Sequence, residues 1–171
     1  MNIQNPDLKL AAVCGLFCPA CTFFIGTGED TERLRRLAER FQRPVEDLEC
    51  QGCRSDKLAF YCRNQCKMTK CSKSKGIRFC GECSDYPCLE LKEFQPQHPH
   101  RIEIWNSQQR IKEVGYEGWY AEMLECYSCP KCHTINSAYD ITCRKCGLTP
   151  SCAYVDKHLD VILEKSGKLK L

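Results

Sequence analysis

The sequence lacks several features that would place it in a familiar class of protein. No apolar run approaches the roughly 20 residues needed to span a bilayer, so we expect no contact with a membrane. Residues 1–10 lack the basic start and the apolar core of a secretory signal, which predicts a cytoplasmic protein. A glycine-rich phosphate loop and a Ser, His and Asp arrangement are also missing, so no catalytic residue is predicted and the sequence favours a protein that is not an enzyme.

Cysteine, by contrast, makes up 17 of the 171 residues. This density indicates either a disulfide framework or a set of metal sites. Metal is favoured because a cytosol is reducing, because an odd number of thiols cannot all form disulfides, and because CxxC pairs are spaced for one ion. We predict about two to four Zn²⁺ ions, whose binding supplies part of the folding energy.

The cysteines divide the chain into three parts. Eleven lie in residues 1–95, none in residues 96–125, and six in residues 126–171. This distribution predicts a cysteine-rich metal-binding domain, a helical linker, and a zinc ribbon followed by a C-terminal helix. The predicted fold class is α+β, with small zinc-ribbon and knuckle modules, several short helices and few short strands.

The spacing of apolar residues predicts where the helices lie. An i, i+3, i+4, i+7 pattern runs from Leu34 to Phe41, and a second short helix is expected to begin at Pro87. In the linker, one helix should end at Gly115 and another should begin around Trp119, whose neighbouring aromatic side chains we assign to the core. A further apolar stripe at 155–163 predicts the C-terminal helix, closed by Ser-Gly at 166–167 and a lysine tail.

The strongest motif is a pair of CxxC turns separated by ten residues. Its thiols are Cys129, Cys132, Cys143 and Cys146, and this spacing predicts a zinc ribbon. Cys126 extends the first turn toward a ferredoxin pattern, but position 136 holds Asn where that pattern needs a cysteine. We therefore expect Cys126 and Cys152 to be buried thiols outside the site, and His133 to be a surface residue of the ribbon.

The eleven thiols of the first part have no unique pairing. They are Cys14, Cys18, Cys21, Cys50, Cys53, Cys62, Cys66, Cys71, Cys80, Cys83 and Cys88, and we predict all of them as metal ligands. One assignment places the pairs at 18/21 and 50/53 in one metal site. It places the pair at 80/83 in a second site, with two of the thiols at 62, 66, 71 and 88. Because eleven is not a multiple of four, bridging thiolates in a polynuclear zinc site or an iron–sulfur cluster stay open as the alternative. The CxxxCxxC run at 14–21 also matches radical SAM enzymes, but the chain is too short for their barrel.

Residues 54–78 contain eight basic residues and one acid. These charges could contact nucleic-acid phosphates, with Phe60, Tyr61 and Phe79 stacking on bases. They could instead offset metal-bound thiolates and form a solvated face, which is the interpretation we favour. We therefore expect a protein as the partner, with nucleic acid as the alternative, and we assign His98 and His100 to a loop.

Several of these motifs together resemble a known family. The segments are CGLFCPAC at 14–21, CQGCRSD at 50–56 and KGIRFCGECSDYPCLEL at 75–91, and they resemble the cysteine-rich family called domain of unknown function 3795 over residues 10–95. The ribbon resembles one found on some members, except that His133 stands where Gly is more usual. The resemblance implies metal binding and defines no activity. The expected function is thus a zinc-binding protein with structural metals, and a thiol redox or iron–sulfur protein is the alternative.

Overall fold

The computed structural model describes residues 6–168, and helices dominate it. The described chain is 59% helical and 2% strand, without a sheet. The predicted α+β class is therefore wrong. Two isolated antiparallel bridges, Ala11 with Phe17 and Ser128 with Ile135, stand where ribbon strands were expected. The turns that carry the cysteines close with one or two backbone hydrogen bonds, and their flanks do not continue into a ladder.

Seven α-helices and several short 3₁₀ turns make up the described chain. The helices are α1 Thr22–Gly28, α2 Thr31–Phe41, α3 Phe60–Gln65, α4 Lys67–Lys75, α5 Leu89–Phe94, α6 Ile104–Tyr127 and α7 Ala153–Lys168. The 3₁₀ turns are Leu8–Leu10, Cys18–Ala20, Val45–Asp47, Cys80–Glu82, Gln95–Gln97 and Pro99–Arg101. None of the helices in this described part is long and apolar enough to cross a membrane.

The predicted helices are present with small changes at their ends. Asp30 caps α2 by accepting a hydrogen bond from the amide of Arg33 at 3.0 Å. Helix α5 begins at Leu89, two residues after Pro87. Helix α6 is broken at Gly115, whose φ of 76° is not helical, which confirms the predicted division of the linker into two helices. Helix α7 includes the predicted stripe, whereas part of the lysine tail lies outside the described residues.

One aromatic core joins all three predicted parts of the chain. The ring of Phe17 lies 6.2 Å from that of Trp119, 5.1 Å from Tyr120 and 5.8 Å from Tyr127, centroid to centroid. Trp119 and Tyr120 are buried, which confirms their assignment to the core. Tyr154 of α7 stacks on Tyr127 at 4.6 Å. The division at residues 95 and 125 stays a prediction, although core residues from all three parts pack together.

Two ion pairs attach the C-terminal ribbon to the N-terminal helices. The guanidinium of Arg33 on α2 lies 2.8 Å from a carboxylate oxygen of Asp140, and both side chains are largely buried. Arg144 pairs with Glu29 at the end of α1 and also donates to the carbonyl of Ile135 at 2.9 Å. These contacts fix the ribbon against α1 and α2.

Candidate metal centre

The four ribbon thiols lie close enough together to bind one metal ion. The Sγ atoms of Cys129, Cys132, Cys143 and Cys146 all lie within 4.8 Å of one another. Two of the separations are 3.5 Å, from Cys129 to Cys146, and 3.6 Å, from Cys132 to Cys143. A zinc ion with four sulfurs at about 2.3 Å requires S···S separations of about 3.8 Å. Within residues 6–168, this is the one group of three or more ligand atoms with such spacing.

The first knuckle is a tight turn after Cys129. The amide of Cys129 donates to the carbonyl of Thr134 at 2.9 Å, and the amide of His133 donates back to the carbonyl of Cys129 at 2.9 Å. His133 has a φ of 57°, a left-handed conformation that is uncommon for a residue with a side chain. As predicted, His133 is exposed, and it is not one of the four ligands.

The second knuckle repeats the first almost bond for bond. The amide of Cys143 donates to the carbonyl of Leu148 at 2.8 Å, and the amide of Gly147 donates to the carbonyl of Cys143 at 3.0 Å. Gly147 has a φ of 74° and so corresponds to His133. Two equivalent turns therefore present four thiols to one point, and glycine occupies the strained position in only one of them.

Asn136 connects the two knuckles, and the sequence analysis did not identify it. Its buried amide nitrogen donates to the carbonyls of Thr134 at 2.9 Å and Ser151 at 3.3 Å, and lies 3.7 Å from the Sγ of Cys143. Its side-chain oxygen accepts from the amide of Arg144 at 3.1 Å. A single buried asparagine gives no signal in one sequence, because its partners become visible only once the turns are in place.

Hydrogen bonds favour the ionised form of two ribbon thiols. The hydroxyl and the amide of Thr134 lower the pKa of Cys132 to about 6. Burial opposes ionisation of Cys143, but the amides of Cys146 and Lys145 outweigh it and lower the pKa of that thiol. Since a thiolate is the form that binds zinc, these contacts prepare Cys132 and Cys143 for the ion. At Cys146 the amide of Leu148 favours the thiolate, but burial and the three neighbouring thiols outweigh it and raise the pKa to about 11.

The N-terminal thiols form two groups, of which the first lies beside α1. This first thiol group consists of Cys18, Cys21, Cys50, Cys53 and Cys62. The amide of Cys53 donates to the Sγ of Cys18 at 3.3 Å, and the thiols of Cys18 and Cys62 interact with the thiol of Cys53. Burial and the neighbouring thiols raise the pKa of Cys21 to about 12. The structure thus brings the pairs at 18/21 and 50/53 together, and adds Cys62 to them.

The second thiol group lies between α4 and α5. It consists of Cys14, Cys66, Cys71, Cys80, Cys83 and Cys88. Burial and then the nearby thiols, Cys88 first among them, raise the pKa of Cys80 to about 12. Cys14 lies near Cys66 and Cys80, so the CxxxCxxC run is divided between the two groups. None of these eleven described thiols belongs to a set of three within 4.8 Å, and their role as metal ligands stays a prediction.

Two partly buried arginines face the N-terminal thiols, and the sequence analysis missed their role. Arg54 interacts with Cys18 and Cys53, and Arg101 with Cys14 and Cys62. Neither arginine forms an ion pair with a carboxylate in the described part of the chain; each donates to backbone carbonyls instead. A desolvated cation without a carboxylate is costly, and cysteine thiols, which become anions when they ionise, lie near both side chains.

The basic segment at 54–78 is largely neutralised by acids. Five of its eight cations form ion pairs: Lys57 with Glu49, Arg63 with Asp47, Lys67 with Glu90, Lys75 with Asp85, and Arg78 with Glu82. Its aromatic side chains are also engaged: the ring of Phe60 lies 3.4 Å from the guanidinium carbon of Arg43, Tyr61 packs on Phe41, and Phe79 is buried. This arrangement leaves little of the segment free for phosphates or bases.

The remaining residues considered as ligands lie apart from the four ribbon thiols. Cys152 is buried in the aromatic core and Cys126 packs against it. His98 and His100 stack on each other at 5.4 Å, and the Nδ1 of His100 lies 2.6 Å from the hydroxyl of Tyr139. Cys152 is therefore a buried thiol, as expected, whereas Cys126 is only partly buried; the two histidines lie at the 3₁₀ turn Pro99–Arg101.

Comparison with known proteins identifies the N-terminal part of the chain. Residues 10–93 match the model of the family described as Protein of unknown function (DUF3795), which confirms the resemblance inferred from the cysteine motifs. The matched residues include both N-terminal thiol groups and end before the ribbon. No curated protein and no solved structure matches the chain.

Proposed function

We propose that this chain, whose residues 10–93 belong to the family Protein of unknown function (DUF3795), is a zinc-stabilised module that binds another protein. In this proposal the ribbon thiols hold a structural zinc ion. The ion keeps the ribbon folded on α1 and α2 and does no chemistry. The protein acts through its surface.

The closed coordination of the ribbon carries this proposal. Four sulfurs within 4.8 Å of one another satisfy a tetrahedral ion completely. A catalytic zinc instead needs an open position for water or substrate. The ligands Cys129 and Cys143 are buried, which further limits access of a substrate to the ion.

A protein is the proposed partner because the basic segment is occupied by the chain itself. Its ion pairs with acids offset most of the positive charge that would attract phosphates. Lys70 and Lys73 on α4 are exposed and form no ion pair among the described residues. Two separate lysines are few for a nucleic-acid site, since each contributes about one released counterion.

Zinc analysis of the full chain tests the structural site. We expect X-ray absorption at the zinc edge to show four sulfurs at about 2.3 Å. Cys143→Ser should lose one zinc equivalent, whereas Cys126→Ser, which changes a thiol outside the four, should retain it. An oxygen ligand that exchanges with water, together with hydrolytic turnover, would contradict the structural assignment.

Binding of single-stranded RNA and DNA tests the choice of partner. Fluorescence anisotropy should show no salt-dependent binding to the full chain at physiological ionic strength. Binding that weakens about tenfold in the double variant Lys70→Glu and Lys73→Glu would contradict the proposal and support nucleic acid. A double variant Glu32→Gln and Glu39→Gln on α2 supplies a control that changes charge on a different helix.

A further inference from the structure

A cavity of about 70 Å³ lies inside the second thiol group. Four of its lining residues are cysteines: Cys71, Cys80, Cys83 and Cys88. They come from α4, from the turn Cys80–Glu82 and its end, and from the residue before α5. Cysteines from three separate elements therefore line one partly open cavity.

The spacing of these thiols differs from that of the ribbon. A single tetrahedral zinc ion requires its sulfurs about 3.8 Å apart, and the ribbon meets this condition. Among the described residues, no three of the cavity thiols lie within 4.8 Å of one another. A two-zinc thiolate cluster would fail on the same ground, because each of its ions also requires three or more closely spaced sulfurs. The cavity thiols are thus spaced too widely to bind a single zinc ion and lie around a larger volume.

The cavity is lined by apolar side chains, and a lysine ammonium group lies within hydrogen-bonding distance of one of its sulfurs. Met68 and Tyr86 supply apolar surface, and Tyr86 packs edge-on against Trp105 at 6.0 Å. The ammonium of Lys75 lies 3.2 Å from the Sγ of Cys83. Hydrogen bonds to sulfur and a largely apolar shell are the means by which a protein tunes a cluster of metal and sulfide.

We propose that this cavity holds an iron–sulfur cluster, bound by the thiolates of Cys71, Cys80, Cys83 and Cys88. On binding, the four thiols lose their protons and coordinate iron. Inorganic sulfide fills the centre and keeps the protein sulfurs farther apart than one ion does. Arg101, which lies near Cys14 and Cys66 of the same thiol group and has no carboxylate partner in the described chain, offsets part of the negative charge. The cluster is independent of the ribbon zinc.

Anaerobic reconstitution of the full chain with ferric iron, sulfide and a thiol reductant, which together supply the mixed ferric and ferrous iron of a cluster, tests the proposal. We expect a coloured protein that contains iron and acid-labile sulfide together with one zinc ion. A colourless protein that contains only zinc after this treatment would overturn the cluster and leave the ribbon proposal intact. A protein that holds the coloured cluster but no zinc would overturn the ribbon proposal and leave the cluster intact. The failure of either proposal can therefore be distinguished from that of the other.

Substitutions locate the cluster. Cys80→Ser and Cys88→Ser should lose iron and sulfide but keep the ribbon zinc, whereas Cys126→Ser should keep all three. Because a ligand variant can fail to fold, Lys75→Met provides a test that leaves the four thiols in place. Removing its positive charge should make the reduction potential more negative while iron is retained. Lys73→Met, two residues away and without an ion pair in the described chain, is the matched control; equal potentials in both variants would place the cluster elsewhere.

Discussion

The ribbon and the second thiol group bring cysteines together in different ways. In the ribbon, two equivalent turns each fix a pair of thiols through local backbone hydrogen bonds, and one buried asparagine joins the turns. In the second thiol group, the cysteines come from separate helices and turns, and their spacing depends on how α4 packs on α5. Local turns therefore produce a compact group of thiols that could hold one ion, while tertiary packing produces a more widely spaced group.

The two regions also balance charge differently. The thiols of Cys132 and Cys143 contact backbone amides, and Cys132 also the Thr134 hydroxyl, all from residues close in sequence. The N-terminal thiols lie near Arg54 and Arg101, and Arg101 is distant in sequence from most of them. The thiolates of Cys132 and Cys143 are thus stabilised by residues close to them in sequence, whereas an N-terminal thiolate depends on the tertiary fold. This difference predicts that a metal bound by the N-terminal thiols, as proposed above, is lost before the ribbon ion when the fold is disturbed.

Gly52→Ala should give the largest separation between the two regions. Gly52 lies between Cys50 and Cys53 with a φ of +114°, and an added Cβ would lie 2.3 Å from the carbonyl oxygen of Lys9. We expect the free energy of unfolding of the N-terminal region to fall by about 3 kcal/mol or more, since both the backbone conformation and the contact oppose a side chain. Chemical denaturation and metal analysis should show loss of the N-terminal metal while the ribbon zinc remains.

Gly76→Ala is the matched control for that change. Gly76 also has a positive φ, of +66°, but an added Cβ would meet nothing within 4 Å. Only the conformational cost should appear, about 1 kcal/mol. Equal effects of the two substitutions would show that the contact with Lys9 has no role, and equal loss of metal from both regions would contradict their independence.

Local pattern predicted the ribbon and most helices. The paired CxxC turns identify Cys129 to Cys146 because the ligands of each turn are neighbours in sequence. The apolar period around Leu34 identifies the buried face of α2, and the glycine at 115 identifies a helix end. Both signals also come from residues that are neighbours in sequence. The predicted strands failed because a knuckle needs only one bridge, such as Ser128 with Ile135, and nothing extends it.

Tertiary packing determines which N-terminal cysteines lie together, and the sequence pattern does not predict this. Cys14 is four residues before Cys18, yet the two thiols lie in different groups, since the chain turns between them. Cys62 joins the first thiol group only because α3 brings it there. The number of residues between two N-terminal cysteines does not reveal the distance between their thiols, because helices lie between them. Sequence spacing alone could therefore not assign each cysteine to its thiol group.

Asp140→Asn tests whether the ribbon and the N-terminal region fold together. Asp140 pairs with Arg33 on α2, and their side chains are only 14% and 12% exposed. Removing this charge leaves the largely buried Arg33 with Asp30, at 3.0 Å, as its remaining carboxylate partner, so the free energy of unfolding should fall by about 2 kcal/mol. A double-mutant cycle with Arg33→Met should show coupling above about 1 kcal/mol.

The exposed pair of Glu32 and Arg35 on the same helix is the control for that cycle. Their side chains are 60% and 65% exposed, and Glu32→Gln should change stability by less than about 0.5 kcal/mol. If Asp140→Asn had an effect this small, the ribbon would be only loosely attached, and the two regions would unfold in separate transitions.

Arg101→Leu should weaken metal binding in the N-terminal region and leave the ribbon unchanged. The guanidinium interacts with Cys14, Cys62 and Cys66, and it also packs 3.5 Å from the ring of Phe94. Removal of an outer-shell partner reduces metal affinity by about 10- to 100-fold. Competition with a chelator should show this loss for the N-terminal metal alone. Arg101→Lys should recover part of the affinity, since it restores the charge; no recovery would mean that packing, rather than charge, is what the arginine supplies.

The smallest effect is expected within the ribbon, where the two knuckles differ at one position. His133→Gly relieves a φ of 57° at an exposed residue and should stabilise the zinc-bound ribbon by about 0.5 to 1 kcal/mol. Gly147→Ala imposes the same strain on the other knuckle and should cost about 1 kcal/mol, since open space around Gly147 leaves conformation as the only penalty. The rate of zinc release to a chelator should fall in the first variant and rise in the second. Changes of the same sign would show that the two turns are not equivalent, so that one knuckle alone limits how long the ion stays bound.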